Sequence, residues 1–406
     1  MMEIRINTII IKDSTILGVA GIILFWNVAW VWLIFKLFFV SLVFIILCRK
    51  EVMDEKTQKS IRSKAGWSFA KEHGTLVFLL ITFGWSWSFW LLGIVFRGRE
   101  DLLLTSIVLI GGFGPAVGGV LTKRLQSDKR NPFTGKRAVA FVLGFLVIFG
   151  LMMLRYNAGN IPDFNQLAVD LSVSAPIVLS AVVAALVGGW VISFAASANP
   201  DLKTRFRSLL PWKASFQWTL FGLLFYPVLI LAAWGLASVT GLGVEYPVLW
   251  GEPFLQVLPL YALIFGLTAV AQGGNEEPGW RGMMQPELQK RFSPLVAALI
   301  VSAFWSLWHL PLYLNEFYPG PLVGGMIGGA VFRVFLSIFL AWVYLKSNGN
   351  LFAMILLHTS FNVMVNFLPT SDVGLTILWL IVSIAVIVES KMWLNPSKEL
   401  NQNNQG

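Results

Sequence analysis

Six polar residues fall where the surrounding sequence is otherwise apolar. Glu276 and Glu277 are adjacent, Arg281 follows Glu277 by four residues, His309 and His358 lie inside apolar runs, and Asn362 follows His358 by four. Residues four apart share a helix face, so Glu277 and Arg281 can pair, with the acid on the favourable N-terminal side. By the same spacing His358 and Asn362 present two hydrogen-bonding groups side by side. A glutamate beside an imidazole can activate water as a general base and hand the proton on. A second histidine with a carboxamide can stabilise the oxyanion formed when a carbonyl is attacked. Together these groups suit hydrolysis of a peptide bond. One Glu and two His, here Glu276, His309 and His358, are also what a catalytic zinc with an open position uses. Spacing alone leaves both routes open, although the HExxH signature is absent because neither histidine has a glutamate beside it. A proton-coupled transporter could use the same buried set.

These residues are conspicuous because the chain around them is written for lipid. Hydrophobic residues make up 56% of the 406 positions and charged residues 13%, about half the roughly 25% of soluble domains. Mean hydropathy is +0.72. Apolar runs long enough to span a bilayer, about 20 residues each, occur at 16–48, 75–96, 102–121, 138–154, 171–196, 216–239, 254–271, 294–314, 322–345, 351–367 and 373–388. The expected fold is all-α: a polytopic helical membrane protein of about 10–12 transmembrane helices, with the site in the bundle interior. Helices satisfy their own backbone hydrogen bonds in lipid. The first run is too long for one ordinary span and unlike the short core of a cleaved signal peptide; Met53 is an alternative start.

The net charge of +9 reads as topology before it reads as affinity for nucleic acid, since Lys and Arg concentrate in cytoplasmic loops. Loop 49–73 carries seven basic residues, 122–137 six, 197–215 four and 272–293 three, whereas the alternate loops are poorer: 97–100 carries two, 155–170 one, and 240–253, 315–320 and 368–372 none. The rich segments and the C-terminal tail are expected on the cytoplasmic side, with anionic lipid as a secondary contact and no nucleic-acid partner. The single cysteine, Cys48, excludes an intramolecular disulfide and a cysteine metal cage. Arg333 is expected to neutralise a buried acid or to snorkel, and the tryptophans, Trp305 and Trp308 among them, to serve packing.

Depth ties the site together. The polar turn 290–294 should lie at the membrane surface; Glu276 precedes Phe292 by 16 residues and His309 follows it by 17. If both flanks are helical, at about 1.5 Å per residue, the two side chains reach similar depth, roughly 25 Å from the turn. Hydropathy ends this span at 271. Gly273-Gly274 and Pro278-Gly279 are therefore expected to break the helix, with Pro278 in the first turn of a new one and its fresh N-terminus favouring a carboxylate.

In order along the chain, Glu276-Glu277-Pro278-Gly279-Trp280-Arg281 fits EExxxR, Trp305-Ser306-Leu307-Trp308-His309 stands where FxxxH would be, and His358-Thr359-Ser360-Phe361-Asn362 fits HxxxN. With these three ordered motifs the chain resembles the CPBP family of intramembrane proteases, named for CAAX prenyl proteases and bacteriocin-processing enzymes and also called the Abi family. The resemblance covers about 254–367, and Gly112-Phe113-Gly114-Pro115 is similar to a weaker family feature. It implies a membrane-embedded endopeptidase, open to the cytoplasmic side, in which Glu276 activates water with His309 assisting. His358 and Asn362 would stabilise the oxyanion, and Glu277 and Arg281 would shape the site. A metal-free glutamate mechanism is favoured over zinc. The departure is Trp305 in place of Phe, an aromatic exchange that bears on packing more than on catalysis.

The expected organisation is therefore an N-terminal extension with a basic loop at 1–73, N-terminal transmembrane helices at 74–253, a protease-like core at 254–367, a last helix at 368–394 and a disordered tail at 395–406. The expected partners are membrane lipid and a peptide or membrane-associated protein substrate, in a bacterial plasma membrane. Because the resemblance also covers immunity and scaffold proteins, a non-catalytic membrane protein of the same fold is the alternative, ahead of the transporter.

Overall fold

Without water to bind free N–H and C=O groups, a chain this apolar has to close its backbone hydrogen bonds locally, and helices dominate the described residues. A computed structural model describes residues 66–96, 102–157, 175–210, 215–247, 249–318 and 320–395. The long first apolar run, Cys48, Met53 and the tail beyond 395 lie outside them. The helices are α1 (Gly66–Glu72), α2 (Gly74–Leu92), α3 (Leu102–Gly112), α4 (Gly114–Gln126), α5 (Gly135–Asn157), α6 (Ala175–Ser193), α7 (Pro200–Phe206) and α8 (Phe216–Thr240). Then come α9 (Phe254–Leu288), α10 (Pro294–Trp308), α11 (Leu310–Leu314), α12 (Leu322–Lys346), α13 (Leu351–Met364) and α14 (Asp372–Glu389).

Local chemistry sets the ends. Asn199 caps α7 by accepting from the N–H groups of Asp201 and Leu202, with Pro200 in the first turn. Ser293 caps α10 with Pro294 beside it, Asn350 caps α13, and Ser371 caps α14. These residue types accept the otherwise orphaned N–H groups of a first turn. The C-terminus of α8 is closed by Gly241 at φ 73°, a left-handed position that suits glycine.

Eight helical segments among the described residues are long and apolar enough to cross a membrane. The chain is a multi-pass integral membrane protein. Two expected spans differ. The run 102–121 is two helices, α3 and α4, meeting at Phe113, because Pro115 supplies a helix start and Gly112 and Gly114 let neighbours close in. The run 351–367 yields only the 14-residue α13, short of a full crossing.

A third difference lies at the site. The expected break at Gly273-Gly274 is not there: α9 runs through as one 35-residue helix. Continuity is kept by two π-helical turns, Ala269–Gly273 and Trp280–Met284, with Gly274 N–H bonding to Ala269 O and Gln285 N–H to Trp280 O. Such turns accommodate one extra residue and collect at functional sites. The glycines serve close approach instead. A Cβ on Gly273 would stand 2.7 Å from Ile355 O of α13, one on Gly119 of α4 would stand 2.8 Å from Pro278 O, and one on Gly279 would strike Pro115 O. Small residues that bring backbones together are the usual means of packing helices in lipid.

The helix ends sort onto two faces. On one, Lys71 pairs with Asp128, Lys129 with Asp201 and Lys346 with Glu389, and Arg205 donates to the Tyr344 hydroxyl. Pairs of this exposed kind contribute little energy; they matter here as markers of which ends lie together. At the other, Asn315 Nδ2 donates to Trp90 O, and Glu245 and Thr370 exchange backbone hydrogen bonds.

The packing at Gly279 is testable. Gly279→Ala forces a methyl against Pro115, an overpacking that typically costs about 1–3 kcal/mol, and is expected to lower the unfolding midpoint of the detergent-solubilised protein. Gly235→Ala, where an added Cβ meets nothing within 4 Å, is the control and is expected to be neutral or slightly stabilising.

Candidate active site

The π-turned segment of α9 buries both carboxylates. Glu276 is 6% exposed, and Glu277 and Arg281 are fully buried. Arg281 Nε lies 3.4 Å from Glu277 Oε2 across one helical turn. Glu277 Oε1 lies 2.7 Å from His358 Nδ1 of α13, so this carboxylate is held between a guanidinium and an imidazole. A charge out of water is tolerated when its partners replace the lost hydration. The Arg281 guanidinium also stands 4.7 Å above the Trp305 ring of α10, a cation–π contact that strengthens where water is excluded.

Trp305 does more than pack. Its indole N–H donates to Glu276 Oε2 at 2.5 Å, and its ring meets the His358 ring edge-on at 5.5 Å. The tryptophan thus contacts Glu276, Arg281 and His358 at once, a role that its reading as a packing residue did not assign. The signal was present in its chemistry: an indole carries a donor where a phenyl ring has none.

His309 ends α10. Its Nδ1 lies 2.7 Å from Trp305 O; a carbonyl only accepts, so Nδ1 carries the hydrogen and the lone pair of the neutral ring is on Nε2. Trp308 meets the ring edge-on at 4.7 Å and Tyr318 stacks on it at 5.9 Å. Burial pushes the Tyr318 hydroxyl up to about 12, which keeps the phenol protonated at neutral pH. His309 and Glu276 line one cavity of about 180 Å³, with Trp90, Gln272, Leu312 and Tyr318 among its walls.

Asn362 stands apart. It lines a neighbouring, larger cavity of about 610 Å³ between α8, α12, α13 and α14, and its Nδ2 donates to Gln272 Oε1 at 2.5 Å. Gln272 reaches the smaller cavity, so the Gln272–Asn362 pair stands between the two. Of the expected site residues, the structure gathers Glu276, Glu277, Arg281 and His358 around Trp305 and sets His309 at the same cavity as Glu276. Asn362 connects to them through Gln272, which sequence reasoning passed over.

The fit to a metal follows from the same distances. Among the described residues no three His, Cys, Asp or Glu side chains converge as a metal-holding group. His358 turns Nδ1 to Glu277 and His309 turns Nδ1 to a carbonyl. Each ring thus donates through Nδ1 and keeps Nε2 free, as a metal-ligating histidine does, but with Glu276 the two do not converge on one point among the described residues.

Comparison with known proteins agrees with the motif order. Residues 258–364 match the family described as type II CAAX prenyl endopeptidase Rce1-like. This core is thus similar to the CAAX-type proteases of the CPBP family. The chain is also similar to CAAX prenyl protease 2 of Methanococcus maripaludis, 30% identical over 128 residues, which cover 29% of this chain and 47% of that protein. The chain thus spans about half the length of that curated relative. The matched segment, α9 to α13, contains every residue of the CPBP-like constellation described above.

The weight of the indole donor can be measured against another buried tryptophan. Trp379 is as buried as Trp305, but its Nε1 has no partner. Trp305→Phe removes a hydrogen bond to a carboxylate, worth about 1.5–3 kcal/mol, and Trp379→Phe does not. Trp305→Phe is expected to lose more stability by about that amount, read from thermal unfolding in detergent; equal losses would show that the indole–Glu276 bond carries no weight.

Proposed function

We propose that the chain is an intramembrane endopeptidase of the CPBP type, hydrolysing a peptide bond of a membrane-associated peptide or protein. The observation that carries this reading is the shared cavity of Glu276 and His309, in a protein whose lipid setting makes buried ionisable groups costly without a use. One oxygen of Glu276 is held by the Trp305 indole, which leaves Oε1 to take a proton from water. His309 Nε2 accepts from the second O–H of that water and orients it. The water oxygen bonds to the substrate carbonyl carbon, and the carbonyl oxygen becomes an oxyanion.

His358 is suited to that oxyanion only in one state. Its Nδ1 is committed to Glu277, so donation from Nε2 as well requires the imidazolium. Asn362 adds a second donor by exchanging Gln272 for substrate. Collapse of the tetrahedral intermediate breaks the C–N bond, and the proton held on Glu276 passes to the leaving amine. Glu277 and Arg281 hold the frame. The basic face of the protein, with the C-terminal end of α14, is read as cytoplasmic.

Two measurements test this. Purified protein in detergent or liposomes is expected to cleave a reporter peptide, with Glu276→Gln or His309→Ala lowering the rate by at least about 10²-fold, the usual weight of a general base. Asn362→Ala is expected to cost less than His358→Ala, because Asn362 is spent on Gln272 at rest. Full activity in both Glu276→Gln and His309→Ala would sink the mechanism, and a cellular phenotype that survives both would favour the scaffold reading. The metal question is separate: cleavage is expected to persist in a strong chelator, and loss restored by zinc would overturn the metal-free route.

A further inference from the structure

The cavity holding Glu276 and His309 is not placed symmetrically between the two faces of the protein. The basic face is fixed by the ends that pair there: Lys71 with Asp128, Lys129 with Asp201, Lys346 with Glu389. It is also where α10 begins, after Lys290 and Arg291. His309 follows the last residue of α10, 15 residues from Pro294 and so roughly 22 Å from that face; the whole of α14, at 18 residues, spans only about 27 Å. Other walls agree. Trp90 lies two residues from the far end of α2, and Leu312, Phe317 and Tyr318 lie beyond α10.

Towards the basic face the cavity is closed. Below Glu276 on α9, Trp280, Arg281, Met284 and Gln285 are all fully buried, and Trp280 packs edge-on against Phe78 of α2 at 5.3 Å. Towards the other face the wall is a loop, 315–318, in which Phe317 is partly exposed. At that face the segments 240–253, 315–320 and 368–372 contain no Lys or Arg but contain Glu245, Glu252, Glu316 and Asp372, and the connections 97–100 and 155–170 add three basic residues, Arg97, Arg99 and Arg155, against 17 in 49–73, 122–137 and 197–215. An asymmetry of this size orients a membrane protein with the basic face inside.

We infer that the Glu276–His309 cavity opens on the extracytoplasmic side, and that its substrate is a peptide segment of an exported or membrane-anchored chain rather than the end of a cytoplasmic protein. The word substrate rests on the hydrolytic reading above; the direction of opening rests on charge and packing alone. This orientation is opposite to the cytoplasmic opening implied by family resemblance, and the difference comes from this chain's own basic loops.

The test uses the full chain in the inner membrane of a bacterial host, with Cys48→Ser as background so that single cysteines can be introduced. Glu252→Cys and Phe317→Cys are expected to react with a membrane-impermeant maleimide in intact spheroplasts, and Lys203→Cys only after permeabilisation. Pro321→Cys, exposed in the same loop, reads the same opening should Phe317→Cys not fold. The reverse pattern, or mouth cysteines that label only together with Lys203→Cys, would overturn the inference. In the same cells a reporter whose scissile segment is exported is expected to be cleaved at least tenfold faster than one retained in the cytoplasm, and faster cleavage of the retained one would equally overturn it. Labelling does not depend on turnover. Expected labelling with no cleavage defect in Glu276→Gln would therefore remove the hydrolytic reading and leave the direction of opening intact.

Discussion

Glu277 has to be neutralised where it sits, and much of the core follows from how that is done. A fully buried carboxylate in a protein surrounded by lipid is among the least tolerable groups a chain can carry alone. Arg281 on its own helix and His358 on α13 meet it at 3.4 and 2.7 Å. The first contact fixes a helical turn; the second fixes the register of α9 against α13. Arg281, drawn in by Glu277, then covers the Trp305 face, and Trp305 in turn delivers its N–H to Glu276. Three helices are thereby locked by one chain of charge-assisted contacts. Glu276 is the member left with an uncommitted oxygen, and it is the one that lines a cavity.

Such a network needs backbones closer together than ordinary side chains allow. Gly273 against Ile355 O, and Gly119 and Gly279 against the Pro278 and Pro115 carbonyls, bring α4, α9 and α13 to near backbone contact. The π-helical turns on either side of Glu276-Glu277 shift the phase of α9 so that Glu276 faces α10 while Glu277 faces α13. Two adjacent glutamates can thus serve different neighbours without breaking the helix. A broken helix would have met the same electrostatic need with its N-terminal dipole, but at the expense of the hydrogen bonds that lipid makes hard to replace.

Much of this was legible in the sequence, and the illegible part has identifiable causes. Scarcity of charge pointed to lipid, and within lipid the few polar residues marked themselves. The i,i+4 pairing of Glu277 with Arg281 and the matching depth of Glu276 and the end of α10 follow from helix geometry, and both appear in the structure. Hydropathy misplaced the end of α9 because a window average cannot distinguish a loop from a buried polar helix. Gly273-Gly274 was ambiguous for a related reason: glycine serves both for breaking a helix and for approaching one, and only the neighbouring backbone decides. The split at Phe113 was hidden inside a continuous apolar run. The place of Asn362 was set by Gln272, a residue whose type gives no notice of its partner, and the indole of Trp305 was discounted because aromatic residues are abundant in any such chain.

Trp305 shows how a departure from a family pattern can change a site without changing its outline. A phenyl ring at this position could lie over Arg281 and against His358 as the indole does, through faces and edges alone. It could not donate to Glu276. In this chain the donor fixes one oxygen of the carboxylate, and the carbonyl of the same residue fixes the tautomer of His309. One residue therefore sets both the orientation of the acid and the location of the lone pair on the imidazole. The two groups that would share a water molecule, one on α9 and one at the end of α10, are thus each hydrogen-bonded to the same residue.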